Sequence, residues 1–227
     1  MTALDHIDAW IFDLDNTLYS GDARFFAQID KKMTAFISDF LDVPPTEARV
    51  LQKQYLVEYG TSLSGLMAVH DMDPAAFLHH VHDIDLGMLT PDPSLRQGIE
   101  ALPGRKFIFT NGSRLHAKNV GEYLGLYDLF DGVFAIEDTD YVPKPKHAPY
   151  EQFINAFDID PARAFMAEDS VRNLEVPKSM GMSTLLITSD IDWSHEPKAS
   201  RPHDGKNVPD FVDMHTSDLP AWLLALP

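Results

Sequence analysis

The chain has no cysteine, which excludes disulfides, thiolate metal sites and cysteine nucleophiles together. It is poor in positive charge: 18 Lys and Arg stand against 35 Asp and Glu, a net charge of −17. Such a surface repels polyanions, so binding of a nucleic acid polymer through a basic face is not expected. A small anionic ligand is still compatible, provided a cation and a few local positive groups reverse the potential in one cleft. No basic segment leads into a long apolar run, so neither a secretory signal nor a membrane span is expected, and a cytoplasmic protein is the default. Repeats and low-complexity tracts are lacking as well. What remains, 227 residues of which 44% are hydrophobic and 23% charged, suits one larger α/β domain or a core with a smaller inserted one.

The most informative stretch runs from Trp10 to Leu18, an apolar run that ends in two carboxylates one residue apart, Asp13 and Asp15. Residues Ala9 to Phe12 are apolar on consecutive positions, the pattern of a parallel strand buried on both faces. In open α/β sheets ligands bind outside the carboxyl ends of the strands, so Asp13 would face a crevice, with Asp15 reaching the same place if the chain turns there. The local alternative is that both acids are turn formers.

The pattern then becomes helical. Phe25, Phe26, Ile29, Met33, Phe36, Ile37 and Phe40 recur at helical spacing, Pro44 and Pro45 interrupt it, and a second helix follows up to Gly60. Further helices are expected over Leu63 to Val69 and Pro74 to Val81, with Asp73 as a cap. Residues 19–89 thus form an all-helical block inserted between 1–18 and 90–227, with the turn-rich Thr90 to Ser94 marking the return. From there strands at Lys106 to Thr110, Gly132 to Ile136, Ala164 to Ala167, Thr184 to Thr188 and Phe211 to Asp213 alternate with helices, as in a doubly wound parallel sheet. Ser189 to Pro209 reads as a surface loop and Thr216 to Leu226 as a closing helix.

Three later strand ends carry polar residues: Thr110, Asn111, Gly112 and Ser113; then Lys144 and Pro145 with Tyr150 beyond; then Glu168, Asp169 and Ser170 with Asn173. Each has a local explanation as a helix cap, a solvated lysine or an acidic helix start. If the strands are parallel and adjoin, all converge at one sheet edge.

In this order the four segments resemble the signature motifs of the haloacid dehalogenase-like hydrolase superfamily. The helical block, with Glu58, Tyr59, Gly60, Gly65, Leu66 and His70, is similar to the cap of pyrimidine 5′-nucleotidase-like members. The resemblance implies a Rossmann-like core with a helical cap and a Mg2+-dependent phosphomonoesterase. Asp13 would be the nucleophile that forms an aspartyl-phosphate, and Asp15 the proton donor and acceptor. For that, Asp15 must be neutral beside a second acid, and repulsion tends to raise one of the two. Asp13, the Asp15 carbonyl and Asp169 would hold Mg2+, with Glu168 acting through a water and Asn173 orienting the acidic pair. Thr110 and the Asn111 N–H would bind phosphate oxygens and Lys144, rather than the nearby Lys146, would neutralise charge. The expected partner is a small phosphorylated metabolite, foremost a pyrimidine nucleoside 5′-monophosphate, bound by a monomer or homodimer. Phosphoglycolate or sugar-phosphate hydrolysis, a phosphomutase, and an inactive phospho-ligand binder are the alternatives, whereas Asp15 argues against dehalogenation. In the cap, Arg24, Tyr59, Ser64 and His70 could contact the leaving group. His79, His80, His82 and Asp83 could ligate zinc but are better explained as a solvated helix face.

Overall fold

The computed structural model describes residues 4–19, 23–189, 191, 201 and 203–227, with backbone alone at 23 and 24. Strand β1 (Ala9–Phe12) is followed by α1 (Ala23–Leu41), α2 (Pro45–Tyr59), α3 (Ser62–His70), α4 (Pro74–Val81) and α5 (Pro93–Ala101). Then come β2 (Arg105–Phe109), α6 (Arg114–Tyr123), β3 (Gly132–Phe134), α7 (His147–Phe157), β4 (Ala164–Glu168), α8 (Glu175–Met180), β5 (Ser183–Ile187), β6 (Met214–Thr216) and α9 (Leu219–Leu224).

The six strands form one sheet in the order β3-β2-β1-β4-β5-β6, with every pairing parallel. This is the doubly wound order whose direction reverses between β1 and β4, the switch point at which such sheets bind ligands. Side chains alternate across β1. Trp10 and Phe12 join α5, α6 and α9 on one face through Ile99, Val120 and Leu223, whereas Ala9 and Ile11 join α7 on the other through Tyr150 and Phe153. Burial on both faces is why the strand is apolar at every position. Phe12 is fully buried, and truncating it to alanine would cost about 3–5 kcal/mol.

The helical block has its own cluster, in which Ile37, Ala48, Tyr55, Leu66, Phe77 and Val81 pack together. Gly65 is needed there, because a Cβ would lie 2.3 Å from Tyr55 Cβ where α3 crosses α2. The block is joined to the sheet at two places. Phe25 and Ile29 of α1 belong to the sheet's cluster, and Ile136, from the turn after β3, is buried in the block's.

Two expectations shift. Pro93, expected in a turn, opens α5, because Asp92 caps it through Ser94 N–H and the same residue chemistry serves a turn or a helix start. The last strand lies at Met214–Thr216 and not at Phe211 to Asp213. Phe211 and Val212 pack against the second sheet face as loop residues, and Asp213 bonds to Thr184. The loop expected over 189–209 falls largely outside the described residues. None of the described helices is long and apolar enough to cross a membrane.

Candidate active site

The four polar strand ends meet at the switch point. Asp13 extends β1 by one ladder bond, its N–H donating to Ala167 O at 2.9 Å, which sets its carboxyl beside the end of β4. The chain then turns: Asn16 takes a left-handed φ of 62° and Leu18 N–H bonds back to Leu14 O. Asp15 lies in that turn and faces the same cleft, a cavity of about 840 Å³ between the sheet edge and the helical block, also lined by Thr110, Asn111, Gly112, Glu168, Asp169 and Asn173.

Lys144 is the centre of the polar network. It is 1% exposed, and its Nζ donates to Asp13 Oδ1, Glu168 Oε1 and Phe109 O, each at 2.8 Å. The Phe109 ring lies 5.0 Å beneath it. Asn111 fixes the segment that carries Lys144, accepting from Lys144 N–H at 2.8 Å and donating to Lys144 O at 3.1 Å. Lys146 is exposed and takes no part. Thr110 is buried with Oγ1 accepting Gly112 N–H at 2.8 Å, a tight turn that brings loop backbone to the cleft. Glu168 spends both oxygens on the protein: Oε1 also accepts from Asn173 Nδ2 at 2.6 Å, and Oε2 accepts from Ser170 N–H at 2.7 Å. Tyr150 anchors that segment by donating to Asn173 O at 2.8 Å.

Carboxylate oxygens of Asp13, Glu168 and Asp169 lie within 4.8 Å of one another. If all three were ionised, the one ammonium of Lys144 would leave two negative charges uncompensated. Burial, with Glu168 and Asp15 acting in the same direction, pushes Asp13 up to about 8 against the pull of Lys144. Burial, with Glu168 and Asp13 acting in the same direction, raises Asp169 well above the carboxylate range. Hard oxygen donors around an excess of negative charge fit Mg2+.

Asp15 behaves in the opposite way. Burial alone would lift it, but the His116 imidazole, 2.8 Å from Oδ1, and the Tyr19 hydroxyl, donating to the same oxygen at 2.5 Å, bring it down to about 2. It is therefore Asp13, and not the proposed proton donor, that the environment lifts. Tyr19 and His116 carried no signal in the sequence, since one is an aromatic among aromatics and the other lies 101 positions from its partner.

The cap candidates fare differently. His70 is corrected: its Nε2 lies 2.7 Å from Tyr55 Oη and its ring packs on Phe40 and Tyr55, within the helical block and outside the cleft lining. Tyr59 stacks edge-on to Tyr55, and Ser64 is held at the start of α3 by Thr61. The Arg24 side chain lies outside the described residues. His79 and Asp83 are exposed as expected of a solvated face, but His82 turns inward to the cleft. Among the described residues Asp13, Glu168 and Asp169 form the one cluster suited to a metal.

Residues 7–181 match the family model of haloacid dehalogenase-like hydrolases. Phosphate metabolism protein 8 of Saccharomyces cerevisiae is 26% identical over 218 residues, a span of 87% of this chain and 67% of the yeast protein. Among solved structures, a predicted phosphoglycolate phosphatase from Haemophilus somnus 129pt superposes with a TM-score of 0.66 at 14% identity, covering 98% of this chain and 99% of that one. The L-2-haloacid dehalogenase from Xanthobacter autotrophicus gives 0.58 at 17% identity, covering 97% and 100%. At these identities the two structures speak for the fold alone.

Proposed function

The chain belongs to the haloacid dehalogenase-like hydrolase family, and from that membership we propose that it is a Mg2+-dependent phosphomonoesterase working through an aspartyl-phosphate. The observation that carries the proposal is the pairing of Asp13, bonded to Lys144, with a second acid, Asp15, in one cleft. An ionised carboxylate is a nucleophile without a base, and phosphoryl transfer asks mainly for positioning and charge stabilisation.

Asp13 attacks phosphorus, and Thr110 with the Asn111 N–H holds non-bridging oxygens. Lys144 keeps Asp13 oriented and offsets charge that develops on the phosphoryl group. Asp15 starts ionised, and the arriving phosphate favours its taking up one proton from solvent; that proton passes to the departing ester oxygen. The resulting carboxylate then takes a proton from the water that cleaves the acyl phosphate. Asp13, Asp169 and the Asp15 carbonyl would hold Mg2+, which when bound neutralises the phosphate and keeps Asp13 ionised. Glu168 holds Lys144 in place and Asn173 holds Glu168.

Residues 19–89 act as a cap that selects the leaving group. A pyrimidine nucleoside 5′-monophosphate is the leading substrate on the cap resemblance, ahead of phosphoglycolate or sugar phosphates. The test is phosphate release from a panel of nucleotides, sugar phosphates and phosphoglycolate with Mg2+ or with EDTA. Asp13→Asn should abolish turnover and leave the fold intact; full activity in that variant sinks the mechanism.

A further inference from the structure

Asp15 is held by a structure that spans the cleft. Both donors, Tyr19 Oη and His116 Nε2, converge on Oδ1. The other oxygen, Oδ2, lies toward Gly112, where a Cβ would come within 3.5 Å of it. Gly112 belongs to the loop that follows Thr110, so Oδ2 is turned to where the ester would sit.

His116 is itself held. It lies in the first turn of α6, and its N–H donates to Ser113 Oγ at 3.1 Å. Its ring is covered by that of His82, with centroids 4.2 Å apart and planes 15° from parallel. His82 comes from the other side of the cleft, at the C-terminal end of α4, and its Nδ1 lies 2.9 Å from Ser113 Oγ. Ser113 accepts from His116, so its one hydroxyl hydrogen is available to His82 Nδ1. Burial and the neighbouring His116 hold His82 down to about 3, which keeps its ring neutral, so that one of its two nitrogens can accept. Thus Asp15, His116, Ser113 and His82 form a continuous set whose last member belongs to the helical block.

We propose that His116 and His82 are positioning residues for Asp15: His116 occupies Oδ1 and leaves Oδ2 to the leaving-group oxygen, and His82 clamps His116 in that place when the helical block sits on the core. The inference rests on the phosphatase reading and adds to it a device that joins cap position to placement of the proton carrier.

The leaving group provides the test. Departure of p-nitrophenolate needs no proton, whereas departure of an alkoxide such as a nucleoside 5′-oxygen does. His116→Ala should lower kcat/KM for a nucleoside 5′-monophosphate by about 100-fold, the scale of general acid catalysis, and for p-nitrophenyl phosphate by less than about 3-fold. His116→Gln, which returns an N–H donor at similar reach, should recover part of the first loss. In an Asp15→Asn background His116→Ala should cost nothing further. His82→Ala, on the rim of the cleft, should show the same dependence on leaving group at smaller size, and it serves if His116→Ala does not fold. Equal losses on both esters, or an undiminished loss in the Asp15→Asn background, overturn the inference while the phosphatase reading stands. A parent enzyme inactive on both esters overturns that reading and the inference with it.

Discussion

Lys144→Met removes the charge at the centre of the site and keeps most of the stem. Lys144 is 1% exposed and makes three hydrogen bonds of 2.8 Å, two of them to carboxylates. Removing one member of a buried ion pair costs about 3–5 kcal/mol, because the partner is left buried and unpaired. Summing the bonds separately, at about 1.5–3 kcal/mol for each bond to a charged group, gives a similar or larger figure. The smaller end applies to the metal-free protein, since Asp13 can escape by holding a proton. For a domain of this length each kcal/mol moves Tm by about 2–4 °C, so the fall is roughly 6–20 °C. The escape also gives the deficit a pH dependence. In the parent, Asp13 releases its proton at about 8 against the pull of burial, helped by Lys144. In the variant that help is gone and release moves higher, so above about pH 8 the folded variant binds a proton that the folded parent has lost. Stability falls with rising pH wherever the folded state binds more protons than the unfolded one, and for the variant that range extends further. The deficit should therefore be wider at pH 9 than at pH 6. Thermal denaturation followed by circular dichroism in EDTA at both pH values measures it, with exposed Lys146→Met as the control. A Lys144→Met protein melting within about 2 °C of the parent at both pH values would refute the argument.

Other outcomes follow from the same geometry. Adding Mg2+ to about 100 times its Kd should stabilise the metal-free protein by about 2.7 kcal/mol, roughly 5–11 °C in a melting scan, and Asp169→Asn should remove most of that shift; an undiminished shift would place the ion elsewhere. His82 is held down to about 3 by burial and His116, so the unfolded chain binds a proton there between about pH 3 and 6.5 that the folded chain does not, and stability falls as pH drops through that window. His82→Phe keeps the ring contact without the titrating nitrogen, and its melting temperature should fall less steeply than the parent's between pH 7 and 5. Gly65→Ala forces a Cβ to 2.3 Å from Tyr55 Cβ and should cost about 1–3 kcal/mol by separating α2 from α3; an unchanged melting temperature contradicts that packing.

Sheet and site were legible in the sequence to different depths, for identifiable reasons. Ala9–Phe12 is apolar throughout because both faces of β1 are covered, and a buried central strand has no other way to appear. Asp13, Thr110 and Asp169 each stand just past or at a strand end, so the topology alone delivers them to one edge. Helix α5 was hidden because Thr90 to Ser94 has the composition of a turn, which Asp92 makes a helix start by capping Ser94 N–H, with Gly98 lying against Leu223 of α9. The cap resemblance drew His70 toward the substrate, but its aromatic neighbours Phe40 and Tyr55 give it a place within the block. Tyr19 and His116 were invisible, and His82 was read as part of a solvated helix face, for a different cause. Their meaning lies in contacts across the chain, and no periodicity or local spacing records that two imidazoles from opposite sides of a cleft will stack.

The arrangement also accounts for how two acids separated by one residue come to serve different ends. Asp13 continues the strand, so it inherits the strand's burial and lies among Lys144, Glu168 and Asp169, where its charge is costly unless cations surround it. Asp15 lies within the turn at the opening of the cleft, partly exposed, where donors from α6 and from Tyr19 make its charge inexpensive. One residue of chain is enough because Leu14 between them is buried in the core and the chain turns from there, Leu18 N–H bonding back to Leu14 O. The same division follows for any chain in which a buried parallel strand at the switch point runs directly into such a turn. The first acid becomes the charged group that the core must neutralise, and the second becomes the one the cap can reach.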